Sequence, residues 1–130
     1  ATKEEEVRQK LLAEMIRLLG YPRGLIAVEK TLGSLAHLPR HIDPKRRIDL
    51  LCYTPGKEGL SPLLLIECKS EEGNSEEEAK EQALGYNQWI KAPFVALARP
   101  DKISTFWKEE SGWKSLPFLP PYSQLVSSLQ

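Results

Sequence analysis

Arg47-Ile48-Asp49-Leu50-Leu51-Cys52-Tyr53 and Leu63-Leu64-Leu65-Ile66-Glu67-Cys68-Lys69 are two apolar runs that carry charge at fixed points. Each has strand length, and Thr54-Pro55-Gly56-Lys57-Glu58-Gly59 between them is strong turn chemistry. The pattern predicts strands over 47–53 and 63–69 joined as an antiparallel hairpin. Both runs are apolar on both faces, as central strands covered on each side are. An ionised carboxylate inside such a strand costs several kcal/mol unless a partner or a cation compensates it. Charge held in these positions therefore marks a candidate site.

Outward from the hairpin, the chain supplies the covering layers. Val7, Leu11, Met15, Leu18 and Leu19 recur at helical spacing and predict a helix over 4–19. Glu4, Glu5 and Glu6 suit the positive end of its dipole. Gly20 is expected to stop it at C′, with Pro22 just beyond. Residues 25–32 read as a strand and 33–44 as a loop. Ser75, with Glu78 three residues on, fits a capping box and opens a helix over 75–90, ended by Pro93. Residues 94–98 and 103–107 read as two more strands, and 122–129 as a short closing helix. The fold class is α/β, a mixed central sheet of about five strands flanked by helices, in one domain over 1–130. A helical crossover between the 63–69 and 94–98 strands makes that pair parallel.

Side chains two apart on a strand share a face, so Glu67 and Lys69 project together while Ile66 and Cys68 enter the opposite layer. In an ordinary hairpin register Asp49 lies close to Glu67. Two carboxylates that near repel unless a proton or a cation sits between them. Magnesium or manganese is the expected guest, with the Cys68 carbonyl as a further oxygen ligand. Lys69 beside such an ion suits a water or a phosphate oxygen. That division of labour fits phosphodiester hydrolysis.

Composition bounds the alternatives. Hydrophobic residues make up 41% of the chain, and 18 basic side chains balance 18 acidic ones. No global field steers the chain to nucleic acid, so such a partner must be met locally, as at Pro44-Lys45-Arg46-Arg47. No run reaches the roughly 18 to 20 apolar residues of a membrane span, and the acidic start is unlike a signal peptide. A cytoplasmic location and no membrane partner are expected. Cys52 and Cys68 read as buried reduced thiols, too few for a zinc site.

Asp49, then Glu67-Cys68-Lys69 at the end of a leucine-rich strand, resembles the PD-(D/E)XK nuclease superfamily. More narrowly the chain resembles the N-terminal nuclease domain of type I restriction endonuclease R subunits and their small stand-alone relatives. The likeness runs through Glu5 with Val7-Arg8-Gln9, Gly20-Tyr21-Pro22, Arg47-Ile48-Asp49, Ile66-Glu67-Cys68-Lys69, and Gln82 with Tyr86. It implies a restriction-endonuclease-like three-layer sandwich and metal-dependent DNA cleavage. Asp49 and Glu67 would be metal ligands and Lys69 the catalytic lysine. An acid on the first helix would complete the site; Glu5 is the choice, with Glu4 and Glu6 as close competitors. Gln82 and Tyr86, four apart on one helix face, would contact substrate or brace the lysine, and Arg47 would meet phosphate. Ile48 stands where the superfamily's proline would be. The chain carries no helicase-like motor or Walker-type loop, so restriction by translocation is not expected of it acting alone. A homodimer, or a place in a larger complex, is expected.

Blander readings stand beside these. The charged set reads equally as a salt bridge at a strand end, the three glutamates as dipole complementation, and Gln82 with Tyr86 as helix packing. Residues 45–47 read as a solvated loop, Trp107 and Trp113 as packing around a turn, and His37 and His41 as loop structure. The competing functions are a nuclease, a nuclease-fold binding module without turnover, and an enzyme acting on another phosphate-bearing substrate.

Overall fold

A computed structural model describes residues 2–34, 43, 45–70 and 75–129. The elements run α1 (Lys3–Arg17), β1 (Ile26–Thr31), β2 (Arg47–Gly56), β3 (Gly59–Cys68), α2 (Glu76–Ile90), β4 (Phe94–Ala98), β5 (Ile103–Glu109), β6 (Gly112–Leu116) and α3 (Tyr122–Ser127), with single 3-10 turns on either side of β1. The six strands form one sheet in chain order. Only β3 and β4 pair in parallel, Leu64↔Phe94 through Cys68↔Ala98, and α2 is the crossover between them. The other four pairings are antiparallel.

The two faces of the sheet carry separate cores. Val7, Leu11 and Met15 of α1 and Leu125 of α3 pack with Leu50, Cys52, Leu64, Ile66, Cys68, Ala96 and Ala98. Ala79 and Ala83 of α2 pack on the opposite face with Ile48, Leu51, Leu65, Val95 and Leu97. Leu64, Leu65 and Ile66 are sealed from solvent on alternate faces, each burial stabilising by about 1.5–3 kcal/mol. This is a helix–sheet–helix sandwich.

Local chemistry fixes the helix ends. Thr2 Oγ1 accepts from the Glu5 N–H at 3.0 Å and Ser75 Oγ from the Glu78 N–H at 3.2 Å. Gly20, at φ +73°, takes the left-handed turn two residues beyond the Leu18 cap, later than the C′ position expected of it. That turn drives Tyr21 into the core, where its Oη donates to the Pro120 carbonyl at 2.8 Å. Both cysteines are buried free thiols.

Two sequence expectations change. Among the described residues the sheet has six strands, not about five: Gly112–Leu116 forms β6 on the edge beside β5. Trp113 lies on that edge, and Trp107 leans on Phe94 with ring centroids 6.2 Å apart. The hairpin is also longer than read, because β2 and β3 continue to Gly56↔Gly59 around a tight turn. His37 and His41 lie outside the described residues.

Candidate active site

The β2–β3 ladder ends at Leu50↔Ile66. Beyond it β2 stays with β1 as far as Arg47, and β3 stays with β4 as far as Cys68. The two central strands part, and the next residues in register are Asp49 and Glu67. Side chains take over from the lost rungs. Asp49 Oδ2 accepts the Cys68 N–H at 2.7 Å, and the Asp49 backbone hydrogen-bonds the Glu67 carboxyl in return. In an extended strand the N–H and C=O of one residue face the same neighbour. The Cys68 carbonyl therefore also faces the opening.

Glu67 is 4% exposed, and its Oε1 is buried with no hydrogen-bond partner. Burial pushes its carboxyl up to about 8; the Asp49 carboxylate pushes the same way, and the Lys69 ammonium pulls against both. Burial also raises Asp49, against the Cys68 N–H and the charges of Lys69 and Arg8. Lys69 thus acts on both carboxylates. Its N–H donates to the Ala98 carbonyl at 2.8 Å, which carries the β3 direction one residue further. The Cys68 thiol is buried in the α1 layer and held above its usual range by burial, so the backbone carbonyl alone offers a ligand there. Among the described residues no group of three or more His, Cys, Asp or Glu gathers as a metal site. Two carboxylates and a carbonyl form an all-oxygen set, and the orphaned Glu67 Oε1 is the atom that a hard cation would satisfy.

On the first helix the expected Glu5 is already engaged. The Glu5 carboxylate is engaged by Arg8 Nη2 at 2.9 Å and Gln9 Nε2 at 3.3 Å. Glu4 is the helix acid whose charge raises both Asp49 and Glu67. Arg8, four residues on from Glu4, shares its helix face and also acts on Asp49. Sequence reasoning gave Arg8 no role; its i+4 spacing from Glu4 was the available signal.

Arg47 is likewise engaged within the chain. Its Nη1 donates to Glu29 Oε2 at 3.0 Å, while Arg8 Nη1 donates to Glu29 Oε1. Glu29 falls opposite Asp49, where the β1–β2 pairing passes from Val28↔Leu50 to Lys30↔Ile48. Its φ is +52°, a left-handed conformation that costs a non-glycine residue about 1–2 kcal/mol. Strand alternation breaks at the same point, since Ile48 and Leu50 serve opposite cores.

Gln82 and Tyr86 share a face of α2 as expected, and Gln82 Nε2 donates to Tyr86 Oη at 3.0 Å. That hydrogen bond goes to Tyr86 rather than to Lys69. Arg46 Nη1 donates to the same oxygen at 3.1 Å. With Asp43 and Trp89 they line a cleft of about 460 Å³. A larger cavity, about 670 Å³, lies between α1 and the β4–β5 turn, and neither Asp49, Glu67 nor Lys69 lines it.

Comparison with known proteins agrees with the fold. The family described as type I restriction enzyme R protein N terminus matches residues 3–120. A solved fragment assigned to an HsdR subunit of a type I restriction enzyme from Vibrio vulnificus YJ016 superposes with a TM-score of 0.65 at 17% identity. The superposition covers 99% of this chain and 25% of that one, so the chain spans about a quarter of its length. A search among curated proteins finds no significant match.

Proposed function

We propose that this chain, which belongs to the type I restriction enzyme R protein N-terminal family, is a divalent-cation-dependent nuclease domain that hydrolyses DNA phosphodiester bonds. The observation that carries the reading is the opening between β2 and β3. There Asp49 and a buried Glu67 occupy the next positions past the last rung, Asp49 Oδ2 accepts the Cys68 N–H, Glu67 Oε1 has no partner, and the charge of Lys69 pulls both carboxyls down. A purely structural acid at a strand end would be wet or have both oxygens satisfied; Glu67 is buried and its Oε1 has no partner.

Asp49, Glu67 and the Cys68 carbonyl would hold magnesium or manganese. Such an ion polarises a phosphoryl oxygen and acidifies water. The chain's own part is to orient and to neutralise. Asp49 is fixed through one oxygen by the Cys68 N–H, and its second oxygen would serve the ion. Lys69 presents an ammonium that would orient the attacking water or counter the charge building on the phosphoryl oxygens. Glu4, whose charge raises both carboxyls, would be the first-helix acid that completes the site in place of the engaged Glu5, and Gln82 and Tyr86 would contact substrate from α2. The family's membership in R proteins suits a domain that works within a larger restriction complex, with DNA as the shared partner.

The test is incubation with linear, circular and single-stranded DNA in magnesium or manganese, alongside Lys69→Ala and Asp49→Asn. Cleavage lost in both variants supports the reading. Cleavage absent in the wild type, with no manganese-induced rise in Tm, overturns it. One observation favours a second reading, a binding module without turnover: the chain is electrically neutral, with 18 charges of each sign. Phosphate affinity ordinarily draws on a basic surface. Manganese stabilisation equal in wild type and Asp49→Asn would select that reading.

A further inference from the structure

We infer that Arg8 and Arg47 form a phosphate-binding site for the DNA backbone beside the carboxylates, and that the Glu29 carboxylate occupies this site in the free protein as an intramolecular stand-in. The inference rests on the nuclease reading for its ligand, and on separate residues for its geometry.

Glu29 presents one oxygen to each guanidinium, Oε1 to Arg8 and Oε2 to Arg47. Two guanidiniums that reach the two oxygens of one carboxylate also match two oxygens of one phosphate, the pairing that arginine makes best. Arg8 is 12% exposed and comes from α1; Arg47 is 62% exposed and comes from β2. They converge from different elements, so this is not an i,i+4 pair on one helix. Glu29 falls opposite Asp49 in the β1–β2 register, so the arginine that grips it lies beside the proposed cation site. Arg47 is two residues from Asp49 on the same strand.

The way Glu29 is held points to a displaceable occupant. Its backbone leaves the β1–β2 ladder and adopts φ +52° to bring the carboxylate to both arginines. A carboxylate needed only for packing has no reason to sit in a strained conformation between two cations. An anion that can be exchanged for another one does. The exchange also explains how a neutral chain meets a polyanion: its local cations are masked until a phosphate replaces the mask.

Binding is measured in EDTA, so that no cleavage is required, by fluorescence anisotropy of a short labelled DNA duplex at low salt. Glu29→Gln keeps the shape of the side chain and removes its charge. It should tighten binding by about tenfold. Glu58→Gln, the same charge change at the far hairpin turn, should change binding by less than about twofold. With Arg8→Gln and Arg47→Ala both in place, the gain from Glu29→Gln should vanish. Arg47→Ala alone, whose side chain is mostly in solvent, should shrink it and serves if the Arg8 variant does not fold. Equal affinity of Glu29→Gln and wild type, a gain matched by Glu58→Gln, or a gain that survives loss of both arginines overturns the inference. A wild type that cleaves DNA yet is indifferent to Glu29→Gln defeats this site and leaves the nuclease reading intact. A Glu29→Gln gain in a protein that never cleaves does the reverse.

Discussion

Replacing Glu67 by glutamine should stabilise the cation-free protein, and increasingly so as the pH rises. The carboxyl is held at about 8 against an ordinary 4.5, chiefly by burial. Between those values the unfolded chain has lost the proton and the folded chain still carries it. The folded state then binds more protons, so stability falls as the pH climbs from about 4.5 and levels off above about 8. Ionising Glu67 in the fold is disfavoured by up to about 5 kcal/mol relative to the unfolded chain, before any relaxation of the site. That is comparable to the whole stability of a domain this size, about 5–15 kcal/mol. The assay is urea unfolding at pH 5, 7 and 9 in EDTA. Wild type and Glu67→Gln should lie close together at pH 5. At pH 9 the variant's midpoint should exceed the wild type's by at least about 1 M, for a urea slope of about 1–3 kcal/mol/M. Manganese at a hundred times its Kd should restore about 2.7 kcal/mol to the wild type at pH 9 and far less to the variant. Two curves that keep the same separation from pH 5 to pH 9 would refute the reasoning, because Glu67 would then ionise in the fold without penalty.

Asp49→Asn should abolish the manganese-induced rise in Tm, read by calorimetry, because it removes a ligand charge while keeping side-chain size. Lys69→Ala should slow cleavage by about 10²–10⁴-fold in a gel assay. It should also move manganese binding to higher pH, because Lys69 is what pulls both carboxyls down. Tyr21→Phe removes the Oη bond to the Pro120 carbonyl and should lower stability by about 1–3 kcal/mol in the same urea assay, since a buried acceptor is left unpaired. Leu65→Ala, at a fully sealed position under α2, should lose about 2–5 kcal/mol.

The sequence announced most plainly the strands whose side chains are buried. Residues 63–69 and 94–98 are apolar because both faces of β3 and β4 carry a core, and hydrophobic pattern reports burial. β6 escaped for the opposite reason. Gly-Trp-Lys-Ser-Leu over 112–116 is an edge strand largely open to water, held by main-chain pairing with β5, and the backbone leaves no mark in residue choice. The carboxylate pair was legible because hairpin register makes 49 and 67 opposite once 47–53 and 63–69 are strands. The helix acid was not. Three glutamates in a row have no phase of their own, and the phase is set by Arg8, which binds Glu5 on one side and Glu29 on the other. Glu29 itself is 21 residues from Arg8 and 18 from Arg47, and nothing local in the sequence signals either contact.

The proposed site follows from one change of direction in the sheet. An all-antiparallel meander would let β2 and β3 pair to their ends, and positions 49 and 67 would be two more rungs suited to valine or leucine. Because α2 carries the chain over to a parallel β4, β3 runs on with β4 after β2 has turned away toward β1. The opening lies at the carboxyl end of β3, where open α/β sheets bind their ligands. Apolar side chains there would close the gap and strengthen the fold, as the pH dependence of Glu67→Gln is designed to expose. A buried carboxyl with an unpartnered oxygen, next in register to a second acid and followed by a lysine, is a departure from the local logic of folding, and such departures concentrate where a site needs them. The instability expected of an ionised Glu67 and the cation it would hold therefore share one origin, the unpartnered Oε1.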